Sequence, residues 1–181
     1  MTSYTEEDYI ETKNGIAFHF LDPQPEEINV WDIAWSLSNQ CRYTGHVQKF
    51  YSVAEHCCLL YDYAKASGVT DKLLLRTILM HDASEAYLTD IARPIKAHIP
   101  DYKKLEVRIE QAVADKYSLM YPFPQEVREL DTRILMDERA QAMEPSNNVW
   151  GVVADPLEVE LQFWDPPTAY NAYKTRFYET I

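Results

Sequence analysis

The sequence predicts an all-α fold, a helical bundle with a small β-hairpin at its N-terminus. Apolar residues recur at steps of three and four in several segments, which is the spacing of one buried helix face. Breaks that contain proline or glycine separate these segments. The strongest signal for strands is the pair Asn14-Gly15, which lies between two short stretches with apolar residues. We expect a single domain over residues 1–181, because no internal repeat or change of composition divides the chain.

The predicted N-terminal elements are a hairpin over about residues 9–20 and a helix that ends near Asn39. Asn29 precedes the helix, and asparagine is a favoured N-cap because its side chain accepts a hydrogen bond from a free backbone N–H. Asp32 follows at the spacing of a capping box. We therefore predict that Asn29 and Asp32 cap this helix together.

Four further helices complete a helical core that is predicted over about residues 28–143. Prolines then interrupt the C-terminal tail, residues 144–181, before a last short helix that carries several aromatic residues. These aromatic residues offer more apolar surface than one short helix can easily bury on its own chain, so we expect a homo-oligomer, at least a dimer. The four further core helices are expected near residues 53–66, 71–88, 101–117 and 125–143.

Composition argues against several classes of protein. A formal net charge of −12 would repel a polyanion, so we expect no nucleic-acid polymer as a partner. A small anionic ligand would need a local positive site instead. No apolar stretch is long enough to span a bilayer and no secretion signal is visible, so we expect no membrane partner. The cysteines, three in number and without zinc-ribbon spacing, are typical of a reduced, cytoplasmic protein.

Several ionisable residues fall on or beside the predicted inward faces of three helices, namely His56, His81, Asp82 and Asp131. Taken alone, each would more often be a core residue with its hydrogen bonds satisfied, a helix cap or a salt-bridge partner. Together they would be costly to bury unless a cation lies between them. Two imidazole nitrogens and two carboxylates suit a divalent transition metal such as Mn²⁺, Co²⁺, Fe²⁺, Ni²⁺ or Zn²⁺. We interpret the charged run at residues 137–139 as a solvated turn.

The segments that contain these residues are SVAEH (Ser52–His56), HDASEAYLTD (His81–Asp90) and ELDTRILMDE (Glu129–Glu138). They resemble the HD-domain phosphohydrolases, in particular the small bacterial and prophage branch related to 5′-deoxynucleotidases and phage dATP triphosphohydrolases. The resemblance extends over about residues 28–143. It implies an all-helical fold in which the two histidines and two aspartates bind one divalent cation. It also implies hydrolysis of a phosphate ester, with a role in the nucleotide metabolism of a phage or prophage.

Two acidic residues near the ligands are candidate catalytic residues. Glu85 lies one helical turn beyond His81 and matches the family motif, so it could orient a water molecule or carry its proton. The alternative for Glu85 is a carboxylate that pairs with an arginine or fixes a ligand. Asp90 follows in the next loop and could bind a sugar hydroxyl or a catalytic water. Equally, Asp90 could end the helix or hold the turn at Arg93.

The candidate substrate-binding residues are cationic or aromatic. Arg93 and Lys96 could reach phosphate oxygens from a rigid, proline-containing loop, or they could be ordinary surface residues. The resemblance assigns contacts with the phosphate and the nucleoside to Arg42 and Tyr43. The alternative is a tight connection with Tyr43 in the core. His46 is a further candidate for the pocket, but not as a metal ligand.

The resemblance implies two related reactions on a small nucleotide substrate. One releases phosphate from deoxynucleoside monophosphates, and the other releases triphosphate from deoxynucleoside triphosphates such as dATP. Both break a bond at the same α-phosphorus. Few basic residues are placed to neutralise a triphosphate, which favours the monophosphate unless Mg²⁺ accompanies the triphosphate. One alternative is a cyclic-nucleotide or other phosphodiesterase. Another is a catalytically silent protein that senses or binds nucleotides.

Overall fold

Helices dominate the architecture, and the predicted all-α fold with a small N-terminal hairpin is confirmed. The computed structural model describes residues 8–181. Within that range, none of the helices combines the length and the apolar character needed to cross a membrane. The helices are α1 (Val30–Asn39), α2 (Val53–Ala66), α3 (Lys72–Leu79), α4 (Glu85–Leu88), α5 (Arg93–Lys96), α6 (Pro100–Tyr117), α7 (Gln125–Ala142) and α8 (Pro166–Glu179).

The hairpin forms where the Asn-Gly pair predicts it and packs on the helical body. Strands β1 (Ile10–Glu11) and β2 (Ala17–Phe18) pair antiparallel. Gly15 lies in their turn at φ +74°, a conformation that glycine adopts without strain. Phe18 is fully buried and stacks on Tyr87, with the ring centroids 3.8 Å apart. The hairpin therefore contributes a side chain to the core.

Asp32 attaches the hairpin to α1, so only the Asn29 part of the predicted capping box forms. The Asn29 side chain accepts a hydrogen bond from the Trp31 backbone N–H (2.8 Å), as an N-cap does. Asp32 instead accepts from the Thr12 hydroxyl (2.9 Å) and the Asn14 N–H (3.0 Å) in the hairpin. A buried carboxylate needs donors, and here the hairpin supplies them.

The predicted continuous helix over residues 71–88 is wrong, because the chain leaves the helical path between α3 and α4. The His81 imidazole Nδ1 lies 2.8 Å from the Ile78 carbonyl oxygen. In a continuing helix that carbonyl would accept from the backbone N–H of Asp82, so the side chain competes with the helix. His81 and Asp82 are therefore presented by a turn. The other core helices lie within one residue of their predicted bounds.

The core is centred on α2, which contacts α1, α3, α7 and α8. Helix α8 spans 14 residues rather than being short, and it packs across α1, α2 and α3. Its Tyr173 and Phe177 are buried, whereas Tyr178 is exposed. The tail thus covers much of its aromatic surface on its own chain, which weakens the reason for expecting an oligomer. The homo-oligomer stays a prediction, which light scattering can test.

The tail segment 144–165 reaches α8 without regular secondary structure and is tied to the helical body by side chains. The Glu55 carboxylate on α2 is fully buried. It accepts hydrogen bonds from the backbone N–H groups of Gln162 (2.7 Å), Phe163 (2.9 Å) and Trp164 (2.7 Å). Charge-assisted bonds of this kind are strong, so they fix the path of the chain before α8.

We expect Glu55→Ala to destabilise the protein by about 3 kcal/mol, because these backbone N–H groups lose their acceptor together. Urea unfolding followed by circular dichroism would measure the loss. Glu160→Ala removes an exposed carboxylate from the same segment and should change the unfolding free energy by less than about 0.5 kcal/mol. Equal unfolding midpoints for the wild type and Glu55→Ala would contradict the anchoring role of Glu55.

Candidate active site

The predicted ligand residues converge on one point although they come from separate parts of the chain. His56 lies on α2, His81 and Asp82 lie in the turn after α3, and Asp131 lies on α7. The Nε2 atoms of the two histidines are 3.4 Å apart. Asp82 places Oδ1 3.3 Å from His81 Nε2 and Oδ2 3.5 Å from His56 Nε2. Asp131 Oδ1 lies 3.5 Å from His56 Nε2 and 3.9 Å from His81 Nε2.

All of these separations except the 3.9 Å between Asp131 Oδ1 and His81 Nε2 match the coordination shell of one divalent cation. Ligand atoms that each lie about 2.1 Å from an ion stand roughly 3.0–3.5 Å apart in tetrahedral or octahedral geometry. The donor atoms of His56, His81 and Asp82 all lie within 4.8 Å of one another. Asp131 lies outside that group of three, but its Oδ1 approaches both histidine nitrogens. Histidine nitrogens with carboxylate oxygens are also a donor set that suits borderline transition metals. The residues present therefore fit the predicted metal.

Each of the two imidazoles is held in its orientation by a contact of its Nδ1 atom. The Ile78 carbonyl oxygen near His81 Nδ1 can only accept, so Nδ1 carries a proton. In the neutral imidazole the Nε2 lone pair then faces the cluster formed by His56, His81, Asp82 and Asp131 (the ligand cluster). His56 Nδ1 lies 2.7 Å from Glu138 Oε1, and the carboxylate favours the same tautomer. Burial alone would lower the pKa of both histidines, but the neighbouring carboxylates outweigh it and raise both values. A bound cation would compete with those protons.

Glu138 belongs to the site, although its sequence context conceals it. The predicted solvated turn at residues 137–139 is wrong, because α7 continues through it and Glu138 is fully buried. Glu138 follows Asp131 by seven residues, about two helical turns along the same face. The spacing that places Asp131 inward therefore also places Glu138 inward, and the charged residues beside Glu138 obscure that signal.

Glu138 links side chains from distant parts of the chain. It accepts from Arg42 Nη2 (3.2 Å), from the Tyr51 hydroxyl (2.9 Å) and from the Tyr43 hydroxyl. It also holds His56, as described above. Burial alone would raise the pKa of Glu138, but the charges of Arg42 and His56 lower it to about 2. Glu138 is therefore ionised at neutral pH and neutralises the buried Arg42.

The turn that holds Arg42 and Tyr43 has an unusual backbone. Tyr43 and Thr44 have φ values of +57° and +55°, in the left-handed region that residues other than glycine rarely adopt. In this conformation the Tyr43 hydroxyl reaches Glu138 while the residue lines a cavity beside the ligand cluster. Strained backbone persists where the surrounding contacts determine it, and the Glu138 carboxylate provides such contacts.

The cavity beside the ligand cluster has a volume of about 690 Å³, which is typical of small-molecule sites. Asp82 and Asp131 line it, so the cavity reaches the cluster. Its described lining also contains the cationic side chains of Arg42, Arg93 and Lys96. The same lining contains four carboxyl groups, those of Asp82, Glu85, Asp90 and Asp131, so its cationic side chains are largely offset until a metal cation binds. An anionic ligand would depend on that cation.

Glu85 lies in the wall of this cavity as a buried carboxylate. Its Oε1 is 3.3 Å from Lys96 Nζ, whereas its buried Oε2 has no hydrogen-bond partner among residues 8–181. Burial raises the pKa of Glu85 well above its usual value, and Asp82 and Asp90 add to the effect. Lys96 also binds Glu106, with 2.6 Å between Nζ and Oε1. Glu85 can therefore hold a proton close to the ligand cluster.

The remaining predicted residues differ in how close they come to the site. Asp90 is half-buried in the cavity wall, where burial raises its carboxyl pKa, and its N–H donates to the Gln40 side chain (2.9 Å). Arg93 pairs with Asp131 Oδ2 at 2.9 Å from an exposed position. His46 is exposed and does not line the cavity, because it follows the turn that carries Tyr43 and points outside the site.

Comparisons with known proteins find relatives that are named only as uncharacterized. The chain is 36% identical over 172 residues to the protein YfdR of Escherichia coli, and the alignment covers 93% of each chain. It is 34% identical over 120 residues to a protein of Rhodobacter capsulatus, with 64% of this chain and 61% of the other aligned. No family model matches the chain.

Proposed function

The chain belongs to the family of Escherichia coli YfdR, and from its site we propose that it is a metal-dependent phosphohydrolase of the HD-domain type. We propose that it cleaves the 5′ phosphate ester of deoxynucleotides at the α-phosphorus. The supporting observation is the convergence of ligand atoms at separations of 3.3–3.9 Å beside a cavity that also contains Arg42 and Lys96. A divalent cation together with cationic side chains suits a phosphate ester better than a neutral substrate.

The four ligand residues would hold a transition metal such as Mn²⁺, Co²⁺, Fe²⁺, Ni²⁺ or Zn²⁺, and Mg²⁺ could accompany a triphosphate substrate. When bound, a cation of this kind acidifies water and polarises phosphoryl oxygens. Glu138 orients His56 on one side and Arg42 on the other. This buried carboxylate therefore positions one metal ligand and one phosphate-binding group together.

The side chains in the cavity would bind the substrate and move the protons. Arg42 and Lys96 bind phosphate oxygens and offset the charge that develops as the ester bond breaks. Glu85 takes a proton from the attacking water on its free oxygen and returns it to the departing 5′ oxygen. Asp90 orients the sugar or the water. The water oxygen bonds to phosphorus, the bond to the 5′ oxygen breaks, and the products are nucleoside plus phosphate or triphosphate.

Product analysis by anion-exchange chromatography would test this proposal. Purified protein is incubated with Mn²⁺, Co²⁺ or Mg²⁺ and with ribo- and deoxynucleoside mono- and triphosphates. Nucleoside with orthophosphate would establish a nucleotidase, and nucleoside with intact triphosphate would establish a triphosphohydrolase. The absence of any metal-dependent product would refute both. Cyclic nucleotides and nucleotide-binding assays would then separate a phosphodiesterase from a silent nucleotide-binding protein.

We expect Glu85→Gln to lower turnover by about 10²–10⁴-fold while the protein keeps its metal, because Glu85 moves a proton without being a ligand. Glu106→Gln is the matched control, since Glu106 shares Lys96 as a partner and has no proposed role in the reaction. Turnover and metal content, the latter by plasma mass spectrometry, are measured on the same preparations. Loss of metal in Glu85→Gln, or an equal fall in both variants, would exclude Glu85 from the proton transfer.

A further inference from the structure

We propose that the C-terminal tail completes the site, with Trp150 as the surface on which the base of the nucleotide stacks. This inference rests on the proposed function, because it names the residue that would recognise the part of the substrate remote from the phosphate. Trp150 lies in a stretch without helical periodicity. The reason for assigning it a role is its position in the cavity wall.

The lining of the cavity is of two kinds. Charged side chains, including those of Arg42, Asp82 and Lys96, lie beside or within the ligand cluster. Residues 149–152 of the tail supply an aromatic and apolar wall, together with Leu135 of α7. A ligand that combines an anionic group with a flat, weakly polar ring would match both kinds of surface. A mononucleotide has that chemistry, whereas a simple phosphate ester has only the anionic half.

Trp150 is held in place by contacts with the helical body. The Arg139 guanidinium of α7 lies over the indole, 5.1 Å from its centroid. The same guanidinium donates to the backbone carbonyls of Ser146 (3.3 Å) and Asn148, so it holds both the ring and the chain before it. The Tyr43 ring lies 5.9 Å from the indole at an interplanar angle of 43°. A ring that is already positioned costs a ligand less ordering than a mobile one.

The segment that follows Trp150 in the chain is anchored to the helical body as well. Arg133 of α7 donates to the backbone carbonyls of Asp155 (3.0 Å) and Pro156 (2.9 Å). Asp137 of the same helix accepts from the Leu157 N–H (2.7 Å). Helix α7 also carries Asp131, one of the proposed metal ligands. A single rigid element therefore sets the position of the indole relative to the ligand cluster.

This wall would recognise the face of a base rather than its edge. The Tyr43 hydroxyl is already engaged by Glu138, and the side chains of Leu135 and Val149 have no hydrogen-bonding group. Every base has a π-face, so stacking on an aromatic ring tolerates different bases. We therefore expect the tail to distinguish nucleotides from phosphate esters without a base, with little selection among the bases.

Steady-state kinetics with two substrates would test this inference, a deoxynucleoside monophosphate and 2-deoxyribose 5-phosphate, which is the same sugar phosphate without the base. We expect Trp150→Ala to raise KM for the nucleotide about tenfold and to leave the base-free ester within about twofold of wild type. Trp150→Phe keeps an aromatic face and should restore most of the nucleotide affinity. Val153→Ala changes an exposed neighbour in the same segment and should behave as wild type.

An equal loss with both substrates would show that Trp150 supports the tail rather than a base, and would overturn the inference. Calorimetric titration with a deoxynucleoside, which has no phosphate, gives a readout that needs no turnover. If the wild type hydrolyses neither of these esters and no deoxynucleoside triphosphate either, the proposed function fails. If the wild type then binds the deoxynucleoside and Trp150→Ala does not, that result would still support the stacking surface. Equal binding by both proteins, or none by the wild type, would reject it.

Discussion

Replacing Asp82 by alanine is expected to abolish binding of the divalent cation and to lower phosphohydrolase turnover by at least about 10³-fold. Asp82 approaches both imidazoles, with one carboxylate oxygen 3.3 Å from His81 Nε2 and the other 3.5 Å from His56 Nε2. Its side chain lies in a turn and is 18% exposed, so the fold should survive the change. A folded variant without metal separates a missing ligand from a damaged structure.

Metal content and thermal unfolding together measure the effect at Asp82. Added Mn²⁺ or Co²⁺ should raise the melting temperature of the wild type, since a ligand at a hundredfold excess over its Kd stabilises the native state by about 2.7 kcal/mol. The melting temperature of Asp82→Ala should not respond. Asp115→Ala removes an exposed carboxylate from α6 and controls for the loss of charge. Retention of the metal by Asp82→Ala would exclude the proposed ligand set.

Hydrophobic periodicity is sufficient to find candidate metal ligands that lie on regular helix faces. His56 and Asp131 face the same point as predicted. Apolar residues at steps of three and four identify the buried face of a helix, whatever path the chain takes between helices. For His81 the inward position is right but the continuous helix is wrong, since the ring binds the Ile78 carbonyl and competes with the helix. A bond from a side chain to the backbone leaves no periodic trace in the sequence.

Residues whose positions depend on distant partners are much harder to predict. Glu138 pairs with Arg42 and Tyr51, which lie 96 and 87 residues away in the chain, and the charges beside it resemble solvated surface. No local pattern identifies a buried charge that remote groups neutralise. Trp150 likewise reaches the cavity only because α7 anchors the tail. The helices follow from local patterns, whereas the complete cavity wall requires tertiary contacts.

Glu138→Ala is expected to destabilise the metal-free protein by about 3–5 kcal/mol at neutral pH, because it leaves the buried Arg42 without its counter-charge. It should also weaken metal binding by about 10–100-fold, since His56 loses the carboxylate that orients it. Urea unfolding in the presence of a chelator measures the first effect, and competition with a metal-binding dye measures the second. Glu129→Ala, at an exposed position of the same helix, should change neither quantity appreciably.

The pH dependence of this loss identifies the charge of Glu138 as its cause. Its pKa is lowered from 4.5 to about 2 in the folded protein, so ionised Glu138 stabilises the fold above about pH 4.5 and loses that contribution as the pH falls through about 2. The difference in unfolding free energy between wild type and Glu138→Ala should therefore shrink as the pH falls from about 4.5 towards 2. A constant difference would instead indicate lost packing. Glu138→Gln separates the two causes, because glutamine keeps the side-chain volume but not the charge. If the charge matters, Glu138→Gln should lose most of the unfolding free energy that Glu138→Ala loses.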